Sequence, residues 1–395
     1  MNKILLARLS HLPRLLARLL LILLIGCGLY LSMVPQGRAA LRTTLLLPAL
    51  LSASDTPLLN MSAEPVTHTS RTLATSVGQT YLDIYQPGSP APLLRSERGG
   101  ILVLAGVGDN RQVPQLVNLL HTFAQTGMVV MNVTAPSLMN YDLSTSDTEA
   151  VVQAVQTFEQ LPGMTGKPVG ILSFSGGAPI ACFVAADARV RDHISFVTLF
   201  GGYFQTVDVL RAFGQRAIAL DGHTVPWNPD PVPLQTLTNV LTPALPSSDQ
   251  TSIQDAIVNG AEPLSTSQLA SLSPAGRAVY HLLQGDDPRH VDATIAALPL
   301  EAKQLLLALS PARVINQIHA PIFLLHDHTD RSLPVTGSRD FAAALARLHH
   351  PYDYVELHVF DHVQVRSHLD FAQTLGDGSH LFAIIDQLYL LSTRD

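Results

Sequence analysis

Ser175 stands where a serine could act as a nucleophile. It lies in Val169-Gly170-Ile171-Leu172-Ser173-Phe174-Ser175-Gly176-Gly177-Ala178-Pro179, where an apolar run stops at a serine followed by two glycines. The pattern predicts a strand, a sharp turn and a helix, with the hydroxyl presented at the strand's end. So tight a turn strains the serine backbone, and the residues two before and two after it must be small. Ser173 and Gly177 meet that condition. The N–H of Gly176 would sit at the start of the following helix, where it can stabilise a developing oxyanion.

An activated serine also needs a base within hydrogen-bond reach and an acid to orient that base. Asp327 and Asp330 follow the apolar run Pro321-Ile322-Phe323-Leu324-Leu325-His326. His358, His362 and His368 lie on or after the next run, Val355-Glu356-Leu357-His358-Val359-Phe360. With 16 histidines in the chain, position must select among them. His326 and His328 are spaced i, i+2 without a third ligand nearby, so no metal is expected. Cys27 and Cys182, in an N-terminal apolar run and in the segment after Ser175, predict neither a disulfide nor a zinc site. Gly106-Val107-Gly108 lacks the remaining glycine and the following acid of a dinucleotide site. No cofactor is expected.

These features resemble the α/β-hydrolases, including their dienelactone-hydrolase-like and esterase-like branches. The resemblance covers residues 72–395 except a central insertion. Ser175 matches the nucleophile of G-x-S-x-G, with Ser173 in place of the first glycine. His326-Asp327-His328-Thr329-Asp330-Arg331-Ser332-Leu333-Pro334-Val335 resembles the family's H-G-x-x-D-x-x-V-P, which makes Asp330 the acid and puts Asp327 where glycine is usual. His362, just past the next strand, takes the place of the family's base. The loop after the early strand, Ala105-Gly106-Val107-Gly108-Asp109-Asn110, would supply a second oxyanion donor from the Val107 N–H, although Ala105 replaces the usual histidine. The resemblance implies a serine hydrolase that transfers an acyl group from an ester, lactone or lipid to water. A non-catalytic binding protein of the cell envelope on the same fold is the alternative, and a haloperoxidase or lyase on that scaffold a third.

The elements that must position these residues are legible in outline. Strand and helix patterns alternate from about residue 72, implying a mostly parallel sheet flanked by helices. Strands are expected at Tyr81–Tyr85 (an edge), Ile101–Ala105, Met128–Val133, Val169–Phe174, Ser195–Phe200, Pro321–His326 and Tyr354–Phe360. Helices are expected at Gln115–Gln125, Thr148–Leu161, Gly337–Leu348 and Leu369–Leu391. Between residues 205 and 318 that register is lost, which predicts an inserted helical cap rather than an improbably long loop. Core segments 72–204 and 319–395 therefore flank the cap.

The 395 residues are 47% hydrophobic and 14% charged, with a net charge of −7, so a sizeable core is available and nucleic acid is not expected as a partner. Residues 1–36 form a separate unit. Lys3, Arg8, Arg14 and Arg18 precede the uncharged run from Leu19 to Val34. As a helix that run rises roughly 24 Å, slightly short of a hydrocarbon core of about 30 Å unless Arg18 snorkels. Its basic flank predicts a single-pass anchor with the remainder exported. Cleavage near Ala39 and lipidation at Cys27 are the alternatives. Residues 37–71, with several prolines, read as a linker carrying at most a short membrane-proximal helix at Leu41–Leu51. The expected partners are a membrane and a small-molecule or lipid-like acyl substrate.

Overall fold

The computed structural model describes residues 20, 21, 23, 26–52, 65–88 and 99–393. Strands β1 (Thr67–Thr75), β2 (Gly78–Gln86), β3 (Gly100–Leu104), β4 (Val129–Thr134), β5 (Val169–Phe174), β6 (Ile194–Phe200), β7 (Ile322–Asp327) and β8 (Tyr352–Leu357) form one sheet in the order β1-β2-β4-β3-β5-β6-β7-β8. β1 and β2 pair antiparallel, as do β2 and β4, and every other pairing is parallel. The inner strands are buried along nearly their whole length and largely apolar, as suits a sheet covered on both faces.

Alternation along those strands divides the core between two layers. Leu102, Leu104, Ile171, Leu199, Ile322 and Leu324 face one way. Ile101, Val103, Leu172, Phe196, Phe323 and Leu325 face the other. The flanking helices are α1 (Pro35–Ser52), α2 (Pro114–Gln125), α3 (Asp147–Glu159), α4 (Gly177–Ala186), α5 (Val335–Arg347) and α6 (Phe371–Ser392). Helices α3, α4 and α5 contribute buried side chains to the first layer, and α1, α2 and α6 to the second.

The linker expectation is corrected. Residues 37–52 belong to a helix packed on the core, and residues 67–71 to the first strand of the sheet. Helix α1 lies against α6, with Ala39, Leu46 and Ala49 buried and the Arg42 guanidinium over the Tyr389 ring at 5.9 Å. Asn118 of α2 donates to the Ala49 carbonyl at 3.2 Å. Pro35 occupies the first position of α1, where its missing N–H costs nothing. Strand β1 begins inside the expected linker and precedes Tyr81–Tyr85, which lies in the second strand of the sheet and not at its edge. The polar sequence THTSRTLAT of β1, mostly exposed, carries no apolar alternation that would have revealed it.

The expected membrane span, Leu19 to Val34, lies partly outside the described residues. Among the described residues no helix is long and apolar enough to cross a membrane. The chain between β6 and β7 is mostly helical, with helices that include Thr206–Gln215, Pro231–Leu241, Ser247–Ile257, Pro274–Gln284 and Leu300–Ala308, and a small hairpin at Ala217–Leu220 and His223–Pro226. It has its own apolar cluster around Phe213, Trp227, Leu241 and Leu283.

Candidate active site

Strand β5 ends at Phe174, and α4 starts two residues after Ser175. Between them Ser175 adopts φ of 49°, a left-handed conformation costly for a residue with a side chain. The turn is locked by the Ser175 N–H on the Phe200 carbonyl at 2.8 Å and the Ala178 N–H on the Ser175 carbonyl at 3.0 Å. Gly177 is required by close approach: a Cβ there would lie 2.6 Å from the carbonyl oxygens of both Leu104 and Ala105. Ser173 is accommodated because its buried hydroxyl donates to the Thr198 carbonyl at 2.7 Å.

The acid and the histidine come from the loops after β7 and β8. Asp330 is buried, and its Oδ1 accepts the N–H groups of Ser332 and Leu333 at 2.6 and 2.9 Å. Its Oδ2 lies 2.7 Å from His362 Nδ1. Burial pushes the Asp330 carboxyl up, but the charge of His362 and hydrogen bonds from His326 and His362 outweigh it and hold the carboxyl well below the usual range. His362 sits in a tight two-residue connection between Phe360–Asp361 and Gln364–Val365, with φ of 56°. Its Nε2 is buried without a hydrogen-bond partner. A base awaiting substrate presents this pattern, since catalytic hydrogen bonds often tighten only in the complex.

Ser175 and His362 line one cavity of about 350 Å³ between the ends of the strands and the insertion. Gly106, Val107 and Gly176 line it too. A Cβ built on Gly176 would lie 3.6 Å from the Val107 nitrogen, so the two residues expected to supply oxyanion donors are neighbours. The amide of Asn110 donates to the carbonyls of Gly106, Val107 and Gly108 at 2.9, 3.1 and 3.1 Å. One side chain thus shapes the whole loop.

Three further residues support the site in ways the sequence does not predict. His326, the first residue of the acid-loop motif, is fully buried, with Nε2 3.1 Å from Asp330 Oδ2 and 3.0 Å from the Leu333 carbonyl, and Nδ1 2.7 Å from Ser338 Oγ. Both neighbours of Nε2 only accept, so Nε2 carries a proton. Burial lowers the His326 pKa, but the hydrogen bond to Asp330 and its charge raise it further, with a net upward shift. Asp327 does not touch the imidazole of His362; its Oδ2 accepts the His362 backbone N–H at 3.1 Å and Arg366 at 3.1 Å. Trp227, in the insertion, donates its indole N–H to the Asp330 carbonyl at 2.7 Å. The usable signals were the histidine and aspartate inside the acid loop and a lone tryptophan in an otherwise unreadable segment.

His328 pairs with Glu356 at 2.7 Å and stacks on His358, while His368 is exposed. Among the described residues no cluster of three potential metal ligands is present.

No protein-family model and no curated protein sequence matches the chain. Similar solved structures include an acylaminoacyl peptidase of Pyrococcus horikoshii, at 11% identity and a TM-score of 0.49, over 85% of this chain and 43% of that one. An esterase B of Lactobacillus rhamnosis is 13% identical with a TM-score of 0.43, covering 82% and 88% of the two chains. A lipase in its open form is 16% identical with a TM-score of 0.43, covering 82% and 99%. The chain spans less than half of the peptidase, and likenesses this distant carry no chemistry. The sheet order, the strained Ser175 after β5, and Asp330 and His362 on the loops after β7 and β8 fit the α/β-hydrolase arrangement that the sequence resembles.

Proposed function

We propose that the chain is a serine hydrolase that cleaves an ester-type bond through Ser175, His362 and Asp330. The observation that carries this reading is the pairing of a strained, cavity-lining Ser175 with a His362 whose Nδ1 is held by Asp330 and whose Nε2 is unpartnered. His362 Nε2 takes the Ser175 proton as Oγ attacks the substrate carbonyl. The N–H groups of Gly176 and Val107 receive the oxyanion, and Asp330 stabilises the imidazolium. Collapse expels the alcohol, which leaves with the proton from His362. Water deprotonated by the same nitrogen then releases the acid and restores Ser175.

An ester is favoured over a peptide by the apolar character of the cavity walls, which include Leu143, Val209, Val232 and Leu237. Their acidic member, Asp230, is engaged by Arg331 at 2.6 Å and Ser332 at 3.1 Å. The reading includes attachment to a membrane through Leu19–Val34, with the catalytic part outside the cytoplasm. It is supported by the basic flank and by the exposure of Leu20, Leu21, Leu23, Leu29, Tyr30 and Met33. One experiment tests both parts: a tagged fluorophosphonate applied to separated membrane and soluble fractions of cells expressing the full chain. The expected result is a labelled band in the membrane fraction that disappears in Ser175→Ala. Labelling that persists in the variant moves the nucleophile elsewhere, and a band confined to the soluble fraction removes the anchor.

A further inference from the structure

The hairpin that carries His362 is a wall shared by more than one cavity. In the layer formed by α1, α2 and α6 lies an apolar chamber of about 210 Å³. Phe123 of α2, Phe200 at the end of β6, Phe360 of the hairpin and Leu388 of α6 line it, and Ala49 and Leu50 of α1 close one side. None of the described residues lining it is charged. Close-packed interiors leave few voids larger than a water, and apolar voids stay dry and take apolar ligands. A void this size beside a reactive serine calls for an occupant.

The two spaces have a common neighbour. A third cavity, of about 140 Å³, shares Gly106 and Asn110 with the Ser175 cavity and Leu119 and Phe174 with the chamber. Val363 and Gln364 line all three. This third cavity runs along the oxyanion loop and includes no residue of the insertion. With the carbonyl oxygen at the Val107 N–H and the acyl substituent turned toward Gly106 and Asn110, the acyl side would face this third cavity. The part of the Ser175 cavity walled by Val232, Thr236 and Leu237 is left to the alcohol.

We propose that the substrate's acyl group is a long unbranched alkyl chain whose tail passes Gly106, Val363 and Gln364 into the chamber beneath α1. The proposal rests on the hydrolase reading above and names the substrate class of that site. One water needs roughly 10–15 Å³ of such space, so a chamber of about 210 Å³ has room for several methylenes. With the third cavity included, longer acyl chains fit.

The test uses the full chain and p-nitrophenyl esters from acetate to palmitate, in wild type, Leu388→Trp and Ile384→Phe. Both substitutions fill the chamber and lie on α6, away from the reacting groups. In wild type kcat/KM is expected to rise about fourfold per methylene until the chamber is full. Each variant should keep wild-type activity on acetate, which also reports that it folds, and lose the rise. A flat or falling series in wild type overturns the proposal, as does an unchanged series in a variant that folds. Failure of all esters together with absent fluorophosphonate labelling overturns the hydrolase reading instead. In that case cis-parinaric acid decides the chamber: fluorescence enhancement displaced by decanoate supports it, and no enhancement overturns it.

Discussion

Replacing Asp330 with asparagine separates the carboxylate's charge from its shape. Oδ1 faces two backbone donors, Ser332 N at 2.6 Å and Leu333 N at 2.9 Å, so the amide oxygen of Asn must take that side. The opposite orientation would set an NH2 group against two buried N–H groups, each a loss of about 1–3 kcal/mol. The new NH2 therefore points at His362 Nδ1, 2.7 Å away, and at His326 Nε2, 3.1 Å away. A donor facing Nδ1 requires that nitrogen to be bare, which puts the proton on Nε2. There it blocks the lone pair that must accept the Ser175 proton. By analogy with the serine-protease aspartate, the wrong tautomer costs about 10⁴-fold in kcat, which is about 5 kcal/mol of transition-state stabilisation. The assay is kcat on a p-nitrophenyl ester, with circular dichroism and a urea midpoint to establish that the variant is folded. A folded Asp330→Asn enzyme within tenfold of wild type would refute the reasoning.

Asp327→Asn is expected to lower kcat less than Asp330→Asn, by about tenfold to a hundredfold, because it weakens the tie to the His362 backbone and Arg366 without changing the tautomer. A loss equal to that of Ser175→Ala would make Asp327 the acid instead. Trp227→Phe removes the donor to the Asp330 carbonyl and leaves a buried acceptor unpaired, at about 1–3 kcal/mol. Urea unfolding should show a lowered midpoint at unchanged slope, and an unaltered midpoint would mean that the insertion does not brace the acid loop.

The chain's local patterns determined the parallel sheet, the turn at Ser175 and the loops bearing Asp330 and His362. Each depends on an apolar strand ending at a turn, a signal contained within about ten neighbouring residues. Tertiary structure alone decided the rest. Strand β1 is polar, and only its pairing with β2 makes it a strand. The sequence predicts a short helix at Leu41–Leu51 within α1 but not its packing on α6, because burial of a helix face depends on a partner more than three hundred residues away in sequence. Asp327 and Asp330 look alike as residue types three positions apart. The chain places one under the backbone of His362 and the other against its imidazole; the resemblance to H-G-x-x-D-x-x-V-P points to Asp330 as the acid, but only the fold gives Asp327 its place. The burial of His326 on Asp330 and the sharing of Val363 and Gln364 between cavities likewise arise where separate loops meet. Such contacts follow from distances in the folded chain, and a linear sequence records only the groups available to make them.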